Sequence, residues 1–215
     1  KKKIIYKSKS EFLPNGVNFN LFNQNFKRKK NFKNKSFNIG YVGAIREIIN
    51  ENLLIKIAKK FPKDKIFLLG PVLNNFKKFD KLKNIKFLGY KKHSDIPKYL
   101  NEFDVGIIPY KVNNFTNSIN PLKVYEYISA GLPVISTNLK GLNFLVKNKK
   151  QNLYLCKNEN SFVDKLLRLK KNYKVIDKEL SKNFLFNNSW EKRFLFLEKK
   201  ILENDYVKRN SEKKF

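Results

Sequence analysis

From residue 37 onward, apolar runs of strand length alternate with segments of helical period, and three of those runs end directly in Gly. That alternation is the pattern of βαβ units and predicts an α/β domain with a doubly wound parallel sheet and C-terminal helices. Six strands are read at 39–42, 66–69, 85–88, 105–108, 133–136 and 153–156. Between them, Leu53, Leu54, Ile57, Ala58 and Phe61 recur at helical spacing, and Ile96, Tyr99, Leu100 and Phe103 do so behind Ser94, read as an N-cap. Pro121 takes the place of a first helical residue ahead of Val124, Tyr125, Ile128 and Ala130, and Gly131 stops that helix. Two further helical patterns cover 162–169 and 190–201, and the charged tail 204–215 is expected to fray.

The glycines that close three strands, Gly43, Gly70 and Gly89, stand at the carboxyl edge of such a sheet. Open α/β sheets bind ligands at that edge, in the crevice where strand order reverses. The competing reading is that each Gly only permits a tight βα turn.

A hydrophobic fraction of 41% with 20 Phe in 215 residues is enough for one sizeable core. No apolar run is long enough to span a bilayer, and the amino end lacks the apolar stretch of a secretory signal, which leads to a cytoplasmic expectation. The single Cys, Cys156, sits in the apolar run Leu153, Tyr154, Leu155 and is read as a core residue. The formal charge of +29, from 47 Lys and Arg against 18 Asp and Glu, admits nucleic acid, an anionic membrane or a phosphorylated substrate as partners. Composition does not choose among them, and part of the charge is also what an AT-rich genome would encode. Nucleic acid is not expected, because the Phe residues occupy core positions and no RNA-binding, zinc-finger or helix-turn-helix pattern is present. With no Met in the chain, the natural start is expected upstream. Residues 1–36 read as a connector in which Pro14 presets φ and Asn15-Gly16 supplies positive-φ positions.

The most informative segment is 117–135. A polar loop enters a helix there, offering free backbone N–H groups and the positive end of a helix dipole, which suit a diphosphate. Lys123 adds a cation on the first turn. Glu126, three residues on, could accept hydrogen bonds from a ribose diol. By spacing alone, the pair equally fits an exposed i,i+3 contact.

The string Pro121-Leu122-Lys123, Tyr125-Glu126-Tyr127 and Ala130-Gly131-Leu132-Pro133-Val134-Ile135 resembles the donor-site helix and following strand of GT-B glycosyltransferases of family four. Asn15-Gly16-Val17, Gly40-Tyr41-Val42-Gly43, the segment 84–90 with Ile96-Pro97, the segment 103–109 and Ser189-Trp190-Glu191 extend the likeness over roughly residues 12–200. Teichuronic-acid-type polysaccharide transferases are the nearest likeness within the family. Two positions depart from its pattern. The first of two glutamates separated by seven residues is Ser118 here, which touches the family's sugar contact and retaining stereochemistry. The Arg after the first glycine and the Lys six residues later are Ala44 and Asn50, leaving Arg46 as a candidate substitute.

The resemblance implies a Rossmann-like, GT-B donor half. Residues 1–36 would be a linker and remnant from a missing N-terminal acceptor-binding domain, 37–188 the nucleotide-sugar-binding domain, and 189–215 a crossover helix and tail. It implies transfer of a hexosyl group from a nucleoside diphosphate sugar to an acceptor hydroxyl in envelope polysaccharide or glycolipid synthesis. Glu126 and Lys123 would be catalytic, and the donor would be bound by Gly43, Arg46, Gly70, Tyr90, Ser118, Pro121, Leu122, Lys123 and Glu126. Tyr90 would pack on the base, and His93 is expected as a surface residue. No metal or other cofactor is expected, since His and Cys are single and the carboxylates show no ligand spacing. The inner face of the cell membrane is a candidate partner surface, and this chain alone is expected to transfer poorly. A basic nucleic-acid-binding module, a sugar-nucleotide epimerase and a non-catalytic nucleotide-sugar-binding domain are the alternatives.

Overall fold

Runs rich in Ile, Val and Leu form six strands in the computed structural model, which describes residues 11–24, 36–146, 152–173 and 177–212. They are β1 (Asn38–Val42), β2 (Lys65–Leu69), β3 (Ile85–Gly89), β4 (Val105–Ile108), β5 (Val134–Thr137) and β6 (Leu153–Cys156). All pair in parallel in the order β3-β2-β1-β4-β5-β6. This is the doubly wound order, with the reversal between β1 and β4. β4 and β5 are buried at every position, as a sheet covered on both faces requires. The edge strand β3 instead exposes Lys86 and Phe87.

The helices are α1 (Phe19–Phe22), α2 (Glu51–Lys60), α3 (Ile96–Glu102), α4 (Asn114–Asn117), α5 (Leu122–Ser129), α6 (Asn143–Val146), α7 (Glu159–Lys171), α8 (Lys178–Asn187) and α9 (Trp190–Glu212). α2 buries the stripe Leu53, Leu54, Ile57 and Ala58 and is capped by Asn50, whose side chain accepts from Leu53 N–H at 3.0 Å. The position where the resemblance implied a Lys is thus a helix cap here. α5 ends in a Schellman arrangement: Gly131 at φ 73° donates to Ile128, and Leu132 donates to Tyr127.

Several boundaries move from the sequence reading. Pro121 is the N-cap of α5 rather than its first helical residue, because ψ of 119° leaves it extended. Ser94 lies inside a 3-10 turn, His93–Asp95, and Asp95 takes the N-cap place of α3. The fifth strand starts at Val134, since Pro133 has no N–H for the ladder, although its carbonyl accepts from Gly106. α8 has no counterpart in the sequence reading: among Lys, Asn and Ser it buries only Ser181, Phe184 and Leu185. It packs behind α5, with the Phe184 and Tyr125 rings 6.1 Å apart. α9 continues to Glu212, past the point where fraying was expected.

Gly16 is not among the positive-φ residues of the described chain, so the expected turn conformation is not what selects it. A Cβ there would stand 2.7 Å from the Trp190 ring. The segment around it is fastened to the domain: Val17 N–H donates to Asn188 at 2.9 Å, Trp190 N–H donates to Val17 at 3.1 Å, and Val17 and Phe22 are buried. Most of the expected linker, residues 1–10 and 25–35, and the end of the tail, 213–215, lie outside the described residues. Cys156 is buried, and that burial pushes its thiol up to about 11, which suits a core residue and not a nucleophile.

Candidate functional site

The loops after β1 and β2 lock together at the carboxyl rim of the sheet. Gly43 N–H donates to Leu69 at 2.9 Å, Gly70 N–H to Gly89 at 3.0 Å, and Ile45 N–H to Pro71 at 2.8 Å. Gly70 adopts φ of 146°, and a Cβ on it would lie 2.1 Å from the Gly43 carbonyl oxygen. Only glycine lets these two turns touch. Beneath them, the Tyr41 hydroxyl donates to the Ala44 carbonyl at 3.0 Å and stands 3.5 Å from the Tyr110 hydroxyl. Burial holds both phenols above their ordinary range, Tyr41 far above it, so they remain neutral hydrogen-bonding supports. Val42 N–H, at the end of β1, donates to the buried Tyr127 hydroxyl of α5 at 2.6 Å, which ties the helix to the first glycine turn. The Tyr127 ring fits over β4 only because residue 106 is glycine, where a Cβ would come within 2.3 Å of it.

A hollow of about 200 Å³ opens on this rim. Val42, Gly43 and Ala44 line it from β1, and Leu69, Gly70 and Pro71 from β2. Tyr90, Lys91 and His93 come from the segment after β3, Ile96 from α3 and Lys123 from α5. Of the residues selected from sequence, the fold therefore gathers Gly43, Gly70, Tyr90 and Lys123. Tyr90 is 71% exposed, with its ring available at the mouth.

The remaining candidates stand outside that lining. Arg46 is half-buried, and its guanidinium offsets only a small part of the burial that raises the Tyr41 and Tyr110 hydroxyls. Ser118 caps the carboxyl end of α4 and donates to Asn114 at 3.0 Å. Pro121 and Leu122 form the first turn of α5, behind Lys123. The loop leading there is braced by Asn15, which donates to the Asn120 carbonyl at 2.6 Å, and by Tyr125, whose hydroxyl donates to the Asn120 side chain at 3.1 Å.

Glu126 departs most from expectation. It is 1% exposed, and its two oxygens are engaged, one by Lys123 Nζ at 3.0 Å and the other by His93 Nε2 at 2.7 Å. The i,i+3 pair exists, but with its acid buried rather than on an open helix face. Lys123 and His93 therefore stand between this carboxylate and the hollow. His93, expected as a surface residue, is exposed, and it also stands in the wall of the hollow. Its part was hidden because 33 residues separate it from Glu126 and only the β3–α3 turn brings them together. Among the described residues, no three His, Cys, Asp or Glu side chains stand together as a metal-binding group. No helix among them is long and apolar enough to cross a membrane.

The family model for glycosyl transferases group 1 matches residues 36–172, the sheet and the hollow together. The chain belongs to this family. This group 1 chain is 27% identical over 154 residues to TuaH of Bacillus subtilis (strain 168), named for a teichuronic acid biosynthesis glycosyltransferase; the match covers 68% of this chain and 39% of the relative. It is 28% identical over 181 residues to the UDP-Gal:alpha-D-GlcNAc-diphosphoundecaprenol alpha-1,3-galactosyltransferase of Escherichia coli, covering 75% and 45% of the two chains. The group 1 chain thus spans less than half the length of either relative. Among solved structures, the sucrose-phosphate synthase of Thermosynechococcus elongatus superposes with a TM-score of 0.70 at 16% identity, over 91% of this chain and 52% of that one. The fold is the Rossmann-like α/β fold found in GT-B glycosyltransferases.

Proposed function

We propose that this chain is the donor-binding half of a glycosyltransferase that takes a nucleoside diphosphate sugar and serves envelope polysaccharide or glycolipid synthesis. The observation that carries the reading is the hollow at the carboxyl rim, where Lys123, on the first turn of α5, faces the backbone of Gly43 and Gly70. A diphosphate seated there meets a cation, a helix amino end and turns whose lack of Cβ admits close approach. Tyr90 offers a ring for the base. The names of both curated relatives point to envelope polymers, and one of them specifies a UDP-sugar and a lipid-linked acceptor.

In the reaction, the acceptor hydroxyl oxygen forms a bond to the anomeric carbon while the bond from that carbon to the diphosphate oxygen breaks. Negative charge grows on the departing nucleoside diphosphate, so fixed cations and N–H dipoles at that oxygen lower the barrier. The acceptor, the base that takes the hydroxyl proton and the closing of the cleft belong to a second domain. The exposed row Leu13, Trp190, Phe194 and Leu197, bordering an apolar hollow of about 640 Å³, supports a covering partner of that kind.

Calorimetric titration with UDP-, GDP- and ADP-sugars is expected to give saturable binding for one base, with Kd below about 1 mM. Binding of none of them refutes the proposal. A formal charge of +29 also supports attachment to an anionic leaflet, where lipid-linked acceptors reside. The chain is expected to sediment with anionic vesicles at low salt and to be released at high salt. No sedimentation at low salt removes the membrane from the proposal.

A further inference from the structure

Glu126 is set apart from the other buried carboxylates by what it holds. Asp64 accepts from Phe37 N–H at 3.0 Å and pairs with Lys170, and Asp104 accepts from Asn38 N–H at 2.7 Å. Both therefore tie the backbone at the amino end of β1, far from the hollow. Glu126 is more buried than either, and its oxygens go to two side chains that both line the hollow, Lys123 and His93. Burying a carboxylate is costly, and here the outcome is to fix the position of two potential donors.

His93 is also constrained from outside the pair. The buried Phe22 ring of α1 packs against it, with centroids 6.1 Å apart. With Nε2 committed to Glu126, the ring has one nitrogen left, Nδ1, for a ligand. The imidazole touches Glu126 of α5 and the Phe22 ring, and the hollow it lines also holds Lys123, Lys91 and Ile96.

We propose that His93 is a diphosphate-binding side chain beside Lys123, held by Glu126 through Nε2 and donating from Nδ1 to a phosphate oxygen. The inference rests on the donor-site reading above. With Nε2–H turned to the carboxylate, Nδ1 donates only when the ring carries a second proton, which the arriving anion favours. Because only the doubly protonated ring donates from Nδ1, donor affinity is greater on the acid side and falls as pH rises. Glu126 acts through its two partners and is a positioning residue.

The test is calorimetry on the whole chain with UDP, GDP and ADP, each against its own nucleoside, between about pH 5.5 and 8.5. His93→Gln keeps an amide donor for Glu126 but carries no titratable proton. It is expected to retain the melting temperature, to lose about tenfold in nucleoside diphosphate affinity, and to leave only the pH slope that the ligand's own phosphate supplies, with nucleoside binding unchanged. His93→Ala is expected to lose at least as much. Affinity unchanged or increased in both variants overturns the proposal, and an increase would make His93 a plug on Glu126 that a ribose displaces. If the unmodified chain binds none of the three diphosphates, the donor-site reading itself fails. If it binds one and His93→Gln matches it in both affinity and pH slope, only the role of His93 fails.

Discussion

Replacing Lys123 by Ala is expected to lower affinity for the nucleoside diphosphate on the order of a hundredfold, with the fold retained. Two effects add. The ligand loses a charge-assisted contact, worth about 1.5–3 kcal/mol where the partner is ionic. The Glu126 carboxylate also loses the cation held 3.0 Å away, so its negative charge faces the incoming anion with the His93 contact left to offset it. Breaking a partly exposed pair should cost some stability as well, since Lys123 is 21% exposed and Glu126 1%. A fall of a few degrees in melting temperature is the expected scale, about 1 kcal/mol in a domain of this size. Calorimetric titration with the donor base that binds the unmodified chain provides the measurement. An affinity within twofold of the original would move the diphosphate away from α5 and sink the proposed site.

Gly70→Ala is expected to be the most damaging single-methyl change at the rim, destabilising the chain by about 3 kcal/mol and abolishing donor binding. The added Cβ would stand 2.1 Å from the Gly43 carbonyl oxygen, a backbone atom that cannot swing aside, and φ of 146° is a region that side chains rarely adopt. Relief requires the two turns to part, and those turns floor the hollow. Gly89→Ala is the matched control. Its φ of 66° carries the left-handed strain alone, with no atom within 4 Å of the added methyl, and about 1 kcal/mol is expected. Chemical denaturation of both variants distinguishes a clash from a conformational cost, and equal losses would refute the close contact of the two turns.

The strands were legible because each is a short apolar run bounded by Gly, Pro or charge, and all six fall within a residue or so of their expected limits. α2, α5 and α7 were legible through burial at helical spacing, and the end of α5 through Gly131. α8 was not, since a helix that offers the core only Phe184, Leu185 and Ser181 leaves little periodic signal. The family string around Lys123 marked the right part of the sheet. It could not tell which neighbours share the hollow: Arg46, the candidate substitute for the positions held by Ala44 and Asn50, and Ser118, which stands where the motif has its first glutamate, both lie outside the lining, and Ser118 donates to Asn114 at the end of α4.

By itself, the sequence determined the layer order of this protein: alternating periodicities dictate a parallel sheet, and glycines after successive strands mark its ligand-binding rim. The burial of Glu126 and its second partner, His93, were decided by the tertiary structure alone. A carboxylate's role depends on whether water or other side chains reach it, and that follows from the packing of α5 under the β3–α3 turn, which places His93 2.7 Å away across 33 residues of chain. The same holds for Gly16, whose missing side chain makes room for Trp190. Contacts between distant segments leave no local pattern, because nothing in the spacing of residues along a chain records which surfaces meet when the layers close.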